Sequence, residues 1–187
     1  MMEKEPIRKS IRLRGYDYSL GAAYFITICA KGGSCIFGAV EEGAMHVNAA
    51  GQIVGDAWDE LPSHYPNVFL DAFIVMPNHV HGVIVMAGQS NVGALLAAPA
   101  IGQGERPAPT KLGDVVRTFK SKSAIQINRS MERSGPLWQR NYYEHIIRNE
   151  KSLEKIRRYI FDNPAQWMVD RDNPAALSPE PKDAWAL

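Results

Sequence analysis

Apolar and polar positions alternate in some stretches of this chain and recur at helical spacing in others. Residues 24–29, Tyr-Phe-Ile-Thr-Ile-Cys, are aromatic and β-branched, which predicts a first strand. Segments 36–40 and 45–47 flank Glu41-Glu42-Gly43 and read as a short hairpin. Ile53, Val54, Ala57, Trp58 and Leu61 lie on one helical face, so 48–61 reads as a helix stopped by Pro62. Two apolar runs, Phe73-Ile74-Val75-Met76 and Val83-Ile84-Val85-Met86, predict buried strands joined by a tight turn at Pro77-Asn78. A helix over 112–129 turns Val115, Val116, Phe119, Ala124 and Ile127 inward, and 138–147 reads as a strand. Asn149 caps a last helix over 150–162, with Leu153, Ile156 and Ile160 as its buried stripe and Pro164 beyond its end.

Strand, helix, strand, strand, helix, strand and a further helix is the order of an α+β, ferredoxin-like βαββαβ fold. It predicts one antiparallel sheet with helices packed on one face, the opposite face free, and an additional C-terminal helix. Residues 1–20 read as a basic arm and 21–168 as one compact domain. Within it the Gly-, Ala- and Pro-rich stretch 88–110 reads as a flexible loop or insertion. Residues 169–187 read as a Pro-rich tail.

At 187 residues and 45% hydrophobic content, the chain is long enough for one true core. A formal net charge of +1 says little by itself, but its distribution says more. Basic residues cluster at Arg8-Lys9-Arg12-Arg14, at Arg117-Lys120-Lys122 and between Arg148 and Arg158. Such clusters on a near-neutral chain fit a directed phosphate-binding surface, or ordinary solvated faces. Cys29 and Cys35 make neither a disulfide framework nor a zinc pattern, and a reducing cytoplasm is the simplest compartment. No apolar run approaches membrane-spanning length.

The chemistry concentrates in Met76-Pro77-Asn78-His79-Val80-His81. Residues two apart on a strand project to the same side, so His79 and His81 offer a metal ion two imidazoles together. Tyr159 and Asn163 are four apart on the last helix and share a face at the margin of its apolar stripe. Tyrosine, with a pKa near 10, is a poor nucleophile unless an ion withdraws charge from the phosphorus it attacks. The Asn163 amide oxygen completes a His-His-Asn set suited to a labile divalent ion. Each feature has a plainer reading. His-x-His is common on strands, Tyr159 can be a core-margin residue, and asparagine favours helix C-termini.

Three separated segments give the chain a resemblance. They are the hexapeptide above, Trp138-Gln139-Arg140-Asn141-Tyr142-Tyr143-Glu144-His145-Ile146-Ile147-Arg148, and Tyr159-Ile160-Phe161-Asp162-Asn163-Pro164. Together they resemble the REP-associated tyrosine transposases, within the single-tyrosine His-hydrophobic-His (HUH) nucleases. Arg12-Leu13-Arg14-Gly15-Tyr16-Asp17-Tyr18 is also similar to that group. The resemblance implies an enzyme that cleaves and rejoins single-stranded or hairpin (REP-like) DNA through a covalent 5′-phosphotyrosine, with Mg2+ or Mn2+ as cofactor. It implies Tyr159 as nucleophile, with Tyr143 as the alternative, and His79, His81 and Asn163 as metal ligands. Mobile relatives usually carry glutamine where Asn163 stands. A basic groove with aromatic faces is expected for the DNA, drawn from Arg12, Arg14, Tyr16, Tyr18, Lys120, Lys122, Trp138, Arg140 and Arg148. Two rival readings are a zinc-type hydrolase without a covalent intermediate and a palindrome-binding protein that does not cut. A homodimer and a monomer both fit, no membrane partner is expected, and the expected place is the cytoplasm, at the nucleoid.

Overall fold

The structure, a computed structural model, describes residues 22–87 and 110–177. Strand β1 (Ala22–Cys29) is followed by a hairpin of β2 (Gly38–Glu41) and β3 (Ala44–Val47). Helix α1 (Ala49–Asp59), the single turn α2 (Leu61–His64), β4 (Val68–Val75) and β5 (His79–Met86) come next. Helix α3 (Leu112–Ser130), β6 (Tyr143–Ile147) and helix α4 (Glu150–Asp162) follow, with a 3-10 turn at Asn163–Gln166. The main sheet has the order β4-β5-β1-β6 with every pairing antiparallel, the ferredoxin-like arrangement that the element order predicts.

Local chemistry explains the boundaries. Glu42 and Gly43 both take positive φ, as the tightest hairpin turns require, and this joins β2 to β3. The Asn48 side chain accepts from the Ala50 and Gly51 N–H groups and starts α1. Asn149 accepts from Ser152 N–H and starts α4. Pro62 does not end α1, which stops at Asp59; the proline sits inside the next turn, where its missing N–H goes unused. Strand β6 begins only at Tyr143. Trp138 makes a separate bridge to Ala30, so the predicted strand over 138–147 is half loop.

Alternation along β1 and β5 divides the core into two. Tyr24, Ile26, Ile28, Val80 and Ile84 face α1 and α3 with Trp58 and Phe119. Ala23, Phe25, Val83 and Val85 face the other way, against Leu153, Ile156 and Ile160 of α4. The expectation of a free second face is therefore corrected, because α4 covers it. A stripe of three aliphatic side chains, each at most 2% exposed, supplies the reason. Burying each one stabilises the packing by about 1.5–3 kcal/mol relative to exposure.

Gly82 faces the α1 side between two rigid rings. A Cβ there would lie 2.5 Å from the Trp58 ring, which is itself stacked on Phe73 at 4.3 Å. Gly82→Ala is expected to destabilise the fold by about 1–3 kcal/mol. Urea denaturation checks this, and an unchanged midpoint would show that Trp58 can move aside.

Candidate metal and tyrosine site

The turn between β4 and β5 closes with Met76 N–H donating to the His79 carbonyl at 2.8 Å. It delivers His79 and His81 to the α4 face of β5, at 0% and 3% exposure. Their Nε2 atoms lie 3.1 Å apart. Two ligands at right angles, each about 2.1 Å from one ion, stand about 3 Å apart, so this spacing suits a shared cation.

Neighbouring groups set the tautomers. Asn78 Nδ2 donates to the carbonyls of Gly33 at 3.0 Å and Asp172 at 2.6 Å, which fixes its amide. Its Oδ1, 2.9 Å from His79 Nδ1, can only accept, so that nitrogen carries the proton and His79 Nε2 presents a lone pair. Thr27 Oγ1 lies 2.9 Å from His81 Nδ1 and, as a hydroxyl, can serve either tautomer. Burial lowers the His79 pKa to about 3 and holds His81 well below its usual value, the latter helped by His79. Both rings are neutral at ordinary pH, the form that ligates metal.

Two further polar side chains, one at the end of α4 and one just beyond it, are buried. Asn163, the C-cap of α4, keeps helical φ and ψ, so its four-residue spacing from Tyr159 holds. It is 1% exposed, and neither Oδ1 nor Nδ2 has a hydrogen-bond partner among the described residues. An amide buried in that state is costly unless something absent from the bare protein satisfies it. Asp170 was not foreseen. It is 1% exposed, its Oδ2 lies 3.7 Å from His79 Nε2, and ligand atoms of His79, His81 and Asp170 all fall within 4.8 Å of one another. The segment after α4 carries it back beneath the histidines, with the Trp167 ring 6.1 Å from that of His79. An aspartate in the Asp170-Arg171-Asp172 run before Pro174 gives no periodic signal, so only the path of the chain reveals it.

Tyr159 is half-buried on α4. Its ring lies 5.3 Å from that of His81 and stands edge-on to Phe25 at 6.0 Å. Beside it a cavity of about 230 Å3 opens, bounded by Thr27, Gln139, Asn141, Tyr143, Tyr159 and Arg171 among others. Tyr143 thus lines the same space from β6. Cys29 lines it too, but burial, then Asp172 and Asp170, push its thiol up to about 12, so it is not a thiolate.

The residues expected to hold DNA are placed unequally. Arg12, Arg14, Tyr16 and Tyr18 lie outside the described residues. Arg140 and Arg148 are exposed. Trp138 is 6% exposed, packs between Phe37 and Phe119, and donates from Nε1 to Ser123 Oγ, so no face of it is open for stacking. Lys120 Nζ donates to the carbonyls of Gln139, Arg140 and Asn141, holding the loop at the cavity edge. Lys122 pairs with Glu60 and His64, each at 2.6 Å. Arg171, exposed at the cavity, is a cation that sequence reading missed.

No family model matches the sequence. An uncharacterised protein of Haemophilus influenzae is 39% identical over 168 residues, covering 88% of this chain and 92% of that protein. A second protein of that organism, provisionally named a REP-associated tyrosine transposase, is 25% identical over 150 residues, covering 80% and 74%. Among solved structures, a REP-associated tyrosine transposase bound to a REP hairpin matches with a TM-score of 0.54 over 84% of this chain and 74% of that one. Its 17% identity makes this a likeness of fold. The chain is thus similar in sequence to a relative provisionally given that name, and in fold to a solved REP-associated tyrosine transposase.

Proposed function

We propose that this protein is a metal-dependent endonuclease and strand transferase acting on single-stranded or hairpin DNA, with Tyr159 as its nucleophile. The observation that carries the reading is a half-buried phenol ring 5.3 Å from the ring of one of two adjoining, buried and neutral imidazoles, with a cavity beside the phenol. The solved relative's hairpin supports DNA as the partner here. No described helix is long and apolar enough to cross a membrane.

The donor set fits a divalent ion such as Mg2+ or Mn2+. His79 and His81 would hold it through Nε2, Asn163 through Oδ1 and Asp170 through Oδ2. When bound, the ion supplies charge neutralisation at the scissile phosphate. The chain's own residues do the rest. Phe25 packs edge-on against the Tyr159 ring, and Thr27 and Asn78 hold the imidazoles in register. Arg171, exposed at the cavity, is available to phosphate oxygens. Tyr159 Oη loses its proton to solvent and bonds to phosphorus. The bond from phosphorus to the 3′ oxygen breaks, and that oxygen takes up a proton as the free 3′ hydroxyl. The phosphotyrosine keeps the ester, so the reverse attack rejoins DNA without a nucleotide cofactor.

Asp170 favours one rival, because two histidines and a carboxylate with an open position also make a hydrolytic zinc set. Incubation with a hairpin oligonucleotide bearing a single-stranded flank, plus manganese, separates the two. Tyr159→Phe is expected to abolish the protein–DNA adduct seen on a denaturing gel, and Tyr143→Phe to retain it. Cleavage that persists in both variants without an adduct would establish the hydrolase. Asn163→Ala and Asp170→Ala are each expected to weaken manganese binding at least about tenfold in calorimetry. Undiminished affinity in either variant removes that residue from the set.

Stability should depend on pH through the buried rings. His79 has an ordinary value of 6.5 and a folded value of about 3, so the unfolded chain binds a proton in that window that the folded chain refuses. In metal-free protein this contribution is full above pH 6.5 and falls away as the pH drops toward about 3. Urea midpoints between pH 7 and pH 4 test it, and His79→Gln should flatten part of the slope.

A further inference from the structure

The helix that carries Tyr159 is held by more than its apolar stripe. Arg157 Nε donates to Asp71 Oδ1 at 2.9 Å and Nη2 donates to Oδ2 at 2.7 Å, a two-pronged fork between α4 and edge strand β4. Asp71 is 19% exposed and Arg157 35%, so the pair is partly withdrawn from water. Glu154 contacts the guanidinium from the same helix, and Glu150 lies 3.7 Å from it. Asp71 Oδ1 also accepts from Ala72 N–H at 2.7 Å, which fixes the carboxylate.

A β-bulge brings Asp71 to this position. Leu70 pairs with Ile84 and Phe73 with Gly82, so β4 spends three steps where β5 spends two. Phe69 and Ala72 both pack in the α4-side core, while Leu70 and Phe73 pack in the other. Strict alternation would not place 69 and 72 on one side. The extra residue lets Asp71 and Ala72 both address α4, and bulges commonly re-aim side chains in this way.

The helical wheel shows what the fork controls. At about 100° per residue, Arg157 and Tyr159 flank the Leu153-Ile156-Ile160 stripe on opposite sides. Arg157 reaches the β4 edge, while Tyr159 stands over β1 and β5 against Phe25 and His81. An aliphatic stripe resists separation of helix and sheet but opposes rotation of the helix about its axis only weakly. A fork with fixed directions opposes that rotation.

We propose that Asp71 and Arg157 form a positioning lock that sets the roll of α4, and with it the placement of the Tyr159 hydroxyl beside the histidines. This inference rests on Tyr159 being the nucleophile, so its test has one readout that needs no chemistry. Nuclear Overhauser contacts of the Tyr159 ring with the Phe25 and His81 rings report the roll directly. In the full chain they are expected in the wild type, lost or weakened in Asp71→Ala, and regained when Asp71→Arg is combined with Arg157→Asp. With the hairpin oligonucleotide and manganese, Asp71→Ala should slow single-turnover adduct formation about tenfold to 100-fold while leaving hairpin affinity unchanged, and the exchanged pair should recover the rate. If Asp71→Ala does not fold, Asp71→Asn keeps the shape, removes the charge, and is read in the same way.

Ring contacts and adduct rate both indifferent to Asp71 would overturn the lock. So would a fall in hairpin affinity with the rate intact. If the wild type makes no adduct but its ring contacts respond to Asp71 as expected, the lock stands and the nucleophile assignment fails.

Discussion

The site depends on the packing of α4 across the face of the sheet that carries His79 and His81. Tyr159 on that helix lies against His81, and Trp167 and Asp170 just beyond it lie against His79, so both imidazoles are buried and neutral. The packing also brings Tyr159 against Phe25 and buries Asn163. A bare sheet with the same histidines would hold protonatable, solvated rings and no tyrosine. The aliphatic stripe therefore shapes the chemistry as well as the stability. It also leaves the buried Asn163 amide without a hydrogen-bond partner among the described residues.

Much of this was legible in the sequence because the signals were local. The spacing of His79 and His81 follows from the pleat alone, and the Pro77-Asn78 turn from its breakers. Helix α4 came out with its observed ends because cap, stripe and terminating proline all agree. The ferredoxin-like sheet order followed from the element order.

What was not legible is non-local. Hydrophobic pattern shows that α4 is amphipathic, but not which face of the sheet receives it. Trp138 reads as a surface aromatic among basic residues, yet the bridge to Ala30 and the Ser123 hydroxyl draw it into the core. Lys120 and Lys122 look like a phosphate-binding pair, and only the fold shows their ammonium groups facing backbone carbonyls, Glu60 and His64. Asp170 enters because the segment after Pro164 turns back beneath the sheet, a path no periodicity records.

Asn78 joins regions far apart in sequence. One amide orients the His79 ring, braces the turn at Gly33 and grips the backbone at Asp172. The imidazole is thus mechanically linked to the seating of the C-terminal segment. Were residues 170–173 to lift away, Asn78 would lose one of the two acceptors that fix its amide, and the ring would lose its fixed tautomer along with the nearby carboxylate. Readiness to take up a cation and the docking of the chain's end are, through this one side chain, a single structural variable.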